Sequence, residues 1–145
     1  MNNDNTPGAA RGATVRAAPT VLLVEDSADD AELALHSLNR CNLGAEVHWV
    51  RDGAEALAWI DANGGQALRL VLLDLRMPHM DGFEVLRRLR ADPVTRTVPV
   101  LVMVSDHAAP DVERCSALGA DGYLVKPLEP EPLHAALGRL DIRLE

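Results

Sequence analysis

The amino-acid sequence predicts an α/β protein built on a doubly wound parallel sheet of five strands. Five short, β-rich apolar segments alternate with five segments whose apolar residues recur at helical spacing, and the connections between them are short. This (βα)5 order favours parallel strands joined by right-handed crossovers, with helices on both faces of the sheet. We expect residues 1–19 to form a flexible polar tail and residues 20–145 to form a single domain.

The first half of the domain contains three predicted strands and two predicted helices. The strands are expected over residues 20–26, 46–51 and 69–74, and the third is apolar enough to be buried on both faces. The first helix, between the first two strands, is indicated by a stripe at i, i+3, i+4 and i+7 spacing, formed by Ala31, Ala34, Leu35 and Leu38. The second helix opens at Asp52-Gly53 and ends at Asn63-Gly64-Gly65.

The second half continues the same alternation. A loop over 77–82, in which Gly82 offers flexibility, precedes a helix over 83–90 that Asp92-Pro93 ends. A strand over 98–104 tolerates Pro99 only near its start, and a short fourth helix follows over 111–118. The fifth strand covers 122–125. The last helix has an apolar stripe of Leu133, Ala136, Leu137 and Leu140.

Composition and charge restrict the classes of function. The net charge of -8 argues against general affinity for nucleic acid or anionic membranes, so the neighbouring Arg87, Arg88 and Arg90 are interpreted as a solvated helix face. No apolar stretch approaches the roughly 20 residues of a membrane span, and the N-terminus lacks a signal-peptide pattern, so we expect a cytoplasmic protein. Cys41 and Cys115 lack CxxC partners and are expected to be reduced packing thiols.

Residues suited to phosphoryl chemistry lie at the carboxyl ends of four of the predicted strands. Glu25-Asp26 ends the first strand, Asp74 ends the third, Ser105 follows the fourth and Lys126 follows the fifth. The carboxyl ends of parallel strands meet at one edge of the sheet, where open α/β proteins bind ligands. Three carboxylates in one crevice repel each other, so a cation is the natural compensation, and oxygen-only ligands suit Mg²⁺.

Each of these residues also has a simpler structural explanation. Asp26 could cap the first helix, Ser105 could be a cap or turn residue, and Lys126 could be an ordinary surface lysine. Alternatively, Lys126 could direct its ammonium group at Asp74, with a cis peptide bond to Pro127 fixing its direction. The matching strand ends favour a shared crevice over helix capping.

Three segments, taken together, resemble the receiver domain of two-component response regulators. VLLVEDS resembles the acidic first-strand motif of that family, VLLDLRMPHMDGFEVLRRLR its phosphorylation-site segment, and GADGYLVKPL its lysine-proline segment. The resemblance extends from residue 21 to about residue 140. It implies a flavodoxin-like fold with the strand order 2-1-3-4-5.

The resemblance implies a phosphoacceptor and a metal site. Asp74 would attack a phosphohistidine on a kinase and form an aspartyl phosphate. Asp26 and Asp74 would bind Mg²⁺ directly, the backbone carbonyl of Arg76 would be a third ligand, and Glu25 would act largely through water. The metal would neutralise charge on the transferred phosphoryl group.

The resemblance also implies residues that respond to the phosphoryl group. Lys126 would contact one phosphoryl oxygen and Ser105 would donate a hydrogen bond to another. Tyr123 matches the switch aromatic of the family, which turns inward as the hydroxyl at Ser105 moves, although it could equally be an ordinary, partly buried strand aromatic.

The sequence departs from the family pattern at three positions. Glu25 replaces the commoner aspartate, and Ser105 replaces the commoner threonine. Asp106 stands where the family prefers a small residue, and its charge should disfavour the phosphorylated state unless it is paired. We hypothesise that Arg76 and Asp106 pair and tune the phosphoryl lifetime.

The implied protein is a stand-alone response regulator rather than an enzyme, although it would promote its own phosphorylation and dephosphorylation. Its partners would be a sensor histidine kinase and a second copy of the chain, bound through the face of the fourth helix, fifth strand and fifth helix. VPVLVMVS and ADPVTRTVP also resemble single-domain regulators paired with bacterial phytochromes, so the kinase could be a bacteriophytochrome.

Two alternative functions remain from the sequence. The chain could be a phosphorelay intermediate or phosphate sink, or a degenerate receiver that acts only as a binding module. A Mg²⁺-dependent phosphatase with an aspartyl intermediate would need an acid or base just after Asp74, and Arg76 stands there instead.

Overall fold

A computed structural model describes residues 19–41, 44–105 and 109–142 and confirms the five-stranded parallel sheet. The strands lie in the order 2-1-3-4-5. They are β1 (Thr20–Val24), β2 (Glu46–Val50), β3 (Leu68–Asp74), β4 (Val100–Val104) and β5 (Gly122–Val125). The helices are α1 (Ala28–Arg40), α2 (Gly53–Asn63), α3 (Gly82–Ala91), α4 (Ala109–Ala117) and α5 (Pro130–Arg139).

The alternation of side chains along the strands divides the core into two layers. Leu70 and Leu72 of β3 pack in the layer of α1 and α5, whereas Val71 and Leu73 pack in the layer of α2, α3 and α4. All four side chains are completely buried. A strand covered on both faces needs apolar residues at successive positions, which explains the continuous apolar run from Leu70 to Leu73 within β3.

Several elements begin or end at residues other than those predicted. β1 ends at Val24, so that Glu25 and Asp26 lie in the loop that follows it. β4 begins at Val100 because the preceding residues form turns, in which the Val98 N–H donates to the Thr95 carbonyl. α4 begins at residue 109 and ends at residue 117, slightly earlier than expected. The predicted tail lies outside the described residues, except for its last residue.

Three of the helices begin with side-chain caps. The Ser27 hydroxyl accepts the Asp30 N–H at 3.2 Å and caps α1, so the alternative role of Asp26 as this cap is wrong. Asp52 caps α2 and Asp81 caps α3 in the same manner. The Asp26 carboxylate is therefore available for another role.

Gly82 is the first residue of α3 and not part of a flexible loop. A Cβ atom at this position would lie 2.5 Å from the carbonyl oxygen of Asp74 and 2.7 Å from Cα of Leu75. The Gly82 N–H donates to the Leu75 carbonyl at 3.0 Å. Gly82 is thus required for the close approach of α3 to the chain that carries Asp74, and the prediction of flexibility is wrong.

Replacing Gly82 with Ala is expected to lower the free energy of unfolding by about 1–3 kcal/mol, because the atoms it would meet belong to the backbone and cannot rotate away. Gly138→Ala is the matched control. A Cβ at this exposed position in α5 meets nothing within 4 Å, so it should stabilise the protein by about 0.5–1 kcal/mol. Chemical denaturation measures both changes, and equal effects of the two substitutions would contradict the packing argument.

The arginine cluster on α3 divides into two groups. Arg87 and Arg88 are exposed and pair with Glu84, as expected for a solvated helix face. Arg90 instead donates to the carbonyls of Gly119 and Val98 at 2.9 and 2.8 Å, and pairs with Asp121. The prediction is wrong for Arg90, which fastens the end of α3 to the segments that flank β4.

The two cysteines agree with the expectation that they are packing thiols. Cys115 is buried and Cys41 is half-buried, and both are free thiols. Within residues 19–41, 44–105 and 109–142, no helix has the length and apolar character needed to cross a membrane.

Candidate functional site

The carboxyl ends of β1 and β3 bring three carboxylates together. Val24 lies opposite Leu73 in the parallel register, so Glu25 and Asp74 follow side by side at the point where the strand order reverses. One carboxylate oxygen from each of Glu25, Asp26 and Asp74 lies within 4.8 Å of the others. Glu25 and Asp74 are buried and Asp26 is exposed, so the cluster extends from the interior to the surface.

Lys126 reaches this cluster from the end of β5. Its Nζ atom lies 3.3 Å from Glu25 Oε1, 3.4 Å from Asp74 Oδ2 and 3.0 Å from Asp30 Oδ2. Only 16% of its side chain is exposed, so Lys126 is not an ordinary surface lysine. The peptide bond to Pro127 is cis, one of the arrangements that the sequence allowed.

The cluster carries more negative charge than Lys126 can balance. Burial raises the pKa of Glu25 from 4.5 to about 7, and the adjacent Asp74 carboxylate adds to that increase. Burial also raises the pKa of Asp74. Burial alone would lower the pKa of Lys126, but its hydrogen bond to Asp30 and the nearby carboxylates hold it above the ordinary value.

The donor atoms of the cluster suit a small, hard cation. Asp74 Oδ1 accepts the backbone N–H of Arg76 at 3.2 Å. Asp74 Oδ2 is buried and accepts no hydrogen bond from the described residues, since its contact with Lys126 at 3.4 Å is ionic only. A buried carboxylate oxygen without a hydrogen bond, close to two further carboxylates, fits the oxygen coordination that Mg²⁺ prefers.

Ser105 follows the carboxyl end of β4, whereas Tyr123 is the second residue of β5, and neither belongs to the acidic cluster. Ser105 follows β4 and is exposed, and among the described residues it makes no hydrogen bond to the carboxylates. The Lys126 N–H donates to the Val104 carbonyl at 2.7 Å, so Ser105 and Lys126 leave neighbouring strands together. Tyr123 lies opposite Val102 on the edge strand β5, with 36% of its surface exposed.

Arg76 connects the loop after Asp74 to α4. Its guanidinium donates to both carboxylate oxygens of Asp111 at 2.7 and 2.6 Å, while its backbone N–H contacts Asp74. Asp106 lies outside the described residues, so its pairing with Arg76 stays a prediction. The structure does show that a different acidic residue, Asp111 in the first turn of α4, binds the Arg76 side chain.

Three residues that contact the site or its loops were missed from the sequence. Asp30 binds Lys126, Asp111 binds Arg76, and the indole N–H of Trp49 donates to the Glu25 carbonyl at 2.8 Å. Asp30 could have been found, because it lies one helical turn after Asp26 and beside the first residue of the α1 stripe. The other two contacts depend on how distant segments pack.

Comparisons with known proteins point to one family. The response regulator receiver domain family matches residues 21–138. The probable methanogenesis regulatory protein FilR2 of Methanothrix harundinacea is 37% identical over 116 residues, covering 78% of this chain and 75% of that protein. Response regulator Rcp1 of Synechocystis is 34% identical over 110 residues, covering 73% of this chain and 75% of that protein.

Solved structures show the same likeness. The bacteriophytochrome response regulator RtBRR has a TM-score of 0.77 and 37% identity, covering 87% of this chain and 80% of that one. The Mn(2+)-bound form of Rcp1 has a TM-score of 0.68 and 31% identity, covering 85% of this chain and 91% of that one. Residues 21–138, which match the family, contain all of the sheet except Thr20 and include the acidic cluster.

Proposed function

The chain belongs to the response regulator receiver domain family, the phosphoacceptors of two-component signalling, and on that premise we propose that it is a stand-alone regulator phosphorylated on Asp74. The phosphoryl donor would be a sensor histidine kinase, since receiver domains interact with histidine kinases. The observation that carries the proposal is the buried Asp74 carboxylate, with Lys126 3.4 Å away and two further carboxylates beside it. We assign the receiver domain to residues 20–145.

Phosphoryl transfer to Asp74 would proceed by attack of a carboxylate oxygen on phosphorus. The new O–P bond forms as the N–P bond of the kinase phosphohistidine breaks, and the electron pair stays on the imidazole nitrogen, which takes a proton. Lys126 would bind one phosphoryl oxygen as a compact charge. Ser105 would donate a hydrogen bond to another.

Glu25, Asp26, Asp74 and the backbone carbonyl of Arg76 would hold a divalent ion, which we propose to be Mg²⁺. The bound ion neutralises charge on the transferring phosphoryl group. The buried Asp74 oxygen without a hydrogen bond supports this assignment, as does the Mn(2+)-bound form of the related Rcp1. Glu25 is buried and would act largely through water.

The output of the domain would be a rearranged surface of α4, β5 and α5. Tyr123 is exposed on that surface and Ser105 lies one strand away, so a shift of the Ser105 hydroxyl toward the phosphoryl group would let Tyr123 turn inward. This surface would bind a second copy of the chain. The similarity to RtBRR supports a bacteriophytochrome as the kinase.

Intact mass spectrometry after incubation with acetyl phosphate and Mg²⁺ tests the proposed phosphorylation. The parent protein and Asp29→Asn, which changes an exposed acid of α1, should each gain one phosphoryl group. Asp74→Asn should gain none, and chelation of the metal should abolish the adduct on the parent. An unmodified parent under donor excess would favour a binding module that is not phosphorylated.

A further inference from the structure

We propose that Asp30 positions the ammonium group of Lys126 for phosphoryl transfer, an inference that rests on the proposed role of Asp74 as phosphoacceptor. Asp30 lies in the first turn of α1, outside the cluster of Glu25, Asp26 and Asp74. Its carboxylate makes the shortest of the three contacts with Lys126, at 3.0 Å. Asp30 would thus act through Lys126 and not on the phosphoryl group itself.

The three carboxylates that surround Lys126 differ in whether they can stay in contact with its ammonium group during the reaction. Glu25 and Asp74 are almost fully buried. In the proposed function Glu25 helps to hold the metal ion and Asp74 is the reacting carboxylate. Asp30 is 35% exposed and has neither role. Once the other two are engaged, Asp30 is the carboxylate that continues to hold the ammonium group.

The position of Asp30 also determines the direction in which the ammonium group is held. The Lys126 ammonium group donates hydrogen bonds to Glu25 and Asp30, and its third contact, with Asp74, is ionic only. The contacts with Glu25 and Asp74 draw the group into the interior, whereas the contact with Asp30 draws it toward the more exposed start of α1. An incoming phosphoryl group arrives from solvent, so the Asp30 contact keeps one side of the ammonium group at the entrance to the site.

Asp29 provides a matched control for the charge of Asp30. Both residues lie in the first turn of α1, so both interact with the positive end of the helix dipole. Asp29 is exposed and makes no ion pair with the described residues, whereas Asp30 pairs with Lys126. Asn at either position removes one negative charge, but only Asp30→Asn weakens the contact with Lys126.

The test measures the rate of phosphorylation by acetyl phosphate in a double-mutant cycle. Asp30→Asn and Asp29→Asn are made in the parent protein and in a Lys126→Met protein, at saturating Mg²⁺. In the parent background Asp30→Asn should slow phosphorylation by about 10-fold, the scale of one charge-assisted hydrogen bond, and Asp29→Asn should leave the rate unchanged. In the Lys126→Met background, Asp30→Asn should have no further effect.

The outcomes separate this inference from the proposed function. If the parent takes up a phosphoryl group but Asp30→Asn reacts as fast as the parent, the inference about Asp30 is overturned while Asp74 remains the acceptor. A slowing by Asp30→Asn that persists without Lys126 would also overturn it, because the effect would then be a general one on charge or folding. If the parent takes up no phosphoryl group, the proposed function itself fails.

Discussion

Replacing Lys126 with Met is expected to slow phosphorylation of Asp74 by about 100-fold, because it removes a preorganised positive charge 3.4 Å from the reacting carboxylate. The rate of adduct formation with acetyl phosphate and Mg²⁺ measures the effect. Lys126→Arg is the informative companion, since it keeps the charge but replaces a compact ammonium group with a planar fork. Relative to Lys126→Met, we expect Lys126→Arg to recover more of the lost stability than of the lost phosphorylation rate.

Lys126→Met should also destabilise the metal-free protein. Without Lys126, the buried carboxylates of Glu25 and Asp74 lose the cation that contacts both, and breaking such a buried pair costs about 3–5 kcal/mol. Excess Mg²⁺ should recover much of this loss by compensating the same charge. A Met variant as stable and as rapidly phosphorylated as the parent would contradict the role given to Lys126.

Replacing Glu25 with Gln is expected to stabilise the metal-free protein above about pH 8, by up to about 3 kcal/mol. The folded protein raises the pKa of Glu25 from 4.5 to about 7, so it binds this proton more tightly than the unfolded chain does. The contribution of that proton to stability is complete below about pH 4.5 and is lost as the pH rises through about 7. Gln keeps the shape of the neutral side chain and cannot ionise.

Chemical denaturation in EDTA at several pH values between about 5 and 9 measures this difference. The parent should lose stability as the pH rises through about 7, and Glu25→Gln should lose much less. Glu32→Gln, an exposed change on α1, should follow the parent. If the free energy of unfolding of Glu25→Gln changes with pH as that of the parent does, ionisation of Glu25 does not destabilise the folded protein and the prediction is wrong.

The fold could be predicted from the sequence because the apolar segments that form the strands must be buried between helices. The unbroken apolar run of β3 needs cover on both faces, and the stripes of α1 and α5 provide it on one of them. The wrong predictions concern residues whose role is determined by tertiary contacts. The sequence predicts flexibility at Gly82, whereas the close approach of the Asp74 and Leu75 backbone requires glycine there.

The acidic cluster could be predicted for the same reason, since parallel strands bring Glu25, Asp26 and Asp74 to one edge of the sheet. The ion-pair partners of the charged side chains could not be predicted from the sequence. Arg76 binds Asp111 on α4, and Lys126 binds Asp30 on α1, over separations of 35 and 96 residues. Spacing along the chain does not indicate which helix ends will face each other.

The central claim, that Asp74 carries the phosphoryl group, is tested most directly by locating the adduct. After incubation with acetyl phosphate and Mg²⁺, reduction with borohydride converts an aspartyl phosphate to homoserine, which peptide mass spectrometry can locate. Homoserine at position 74, and absent from protein treated without Mg²⁺, is the predicted result. Homoserine at a different aspartate, or a phosphoryl group that resists reduction, would contradict the claim.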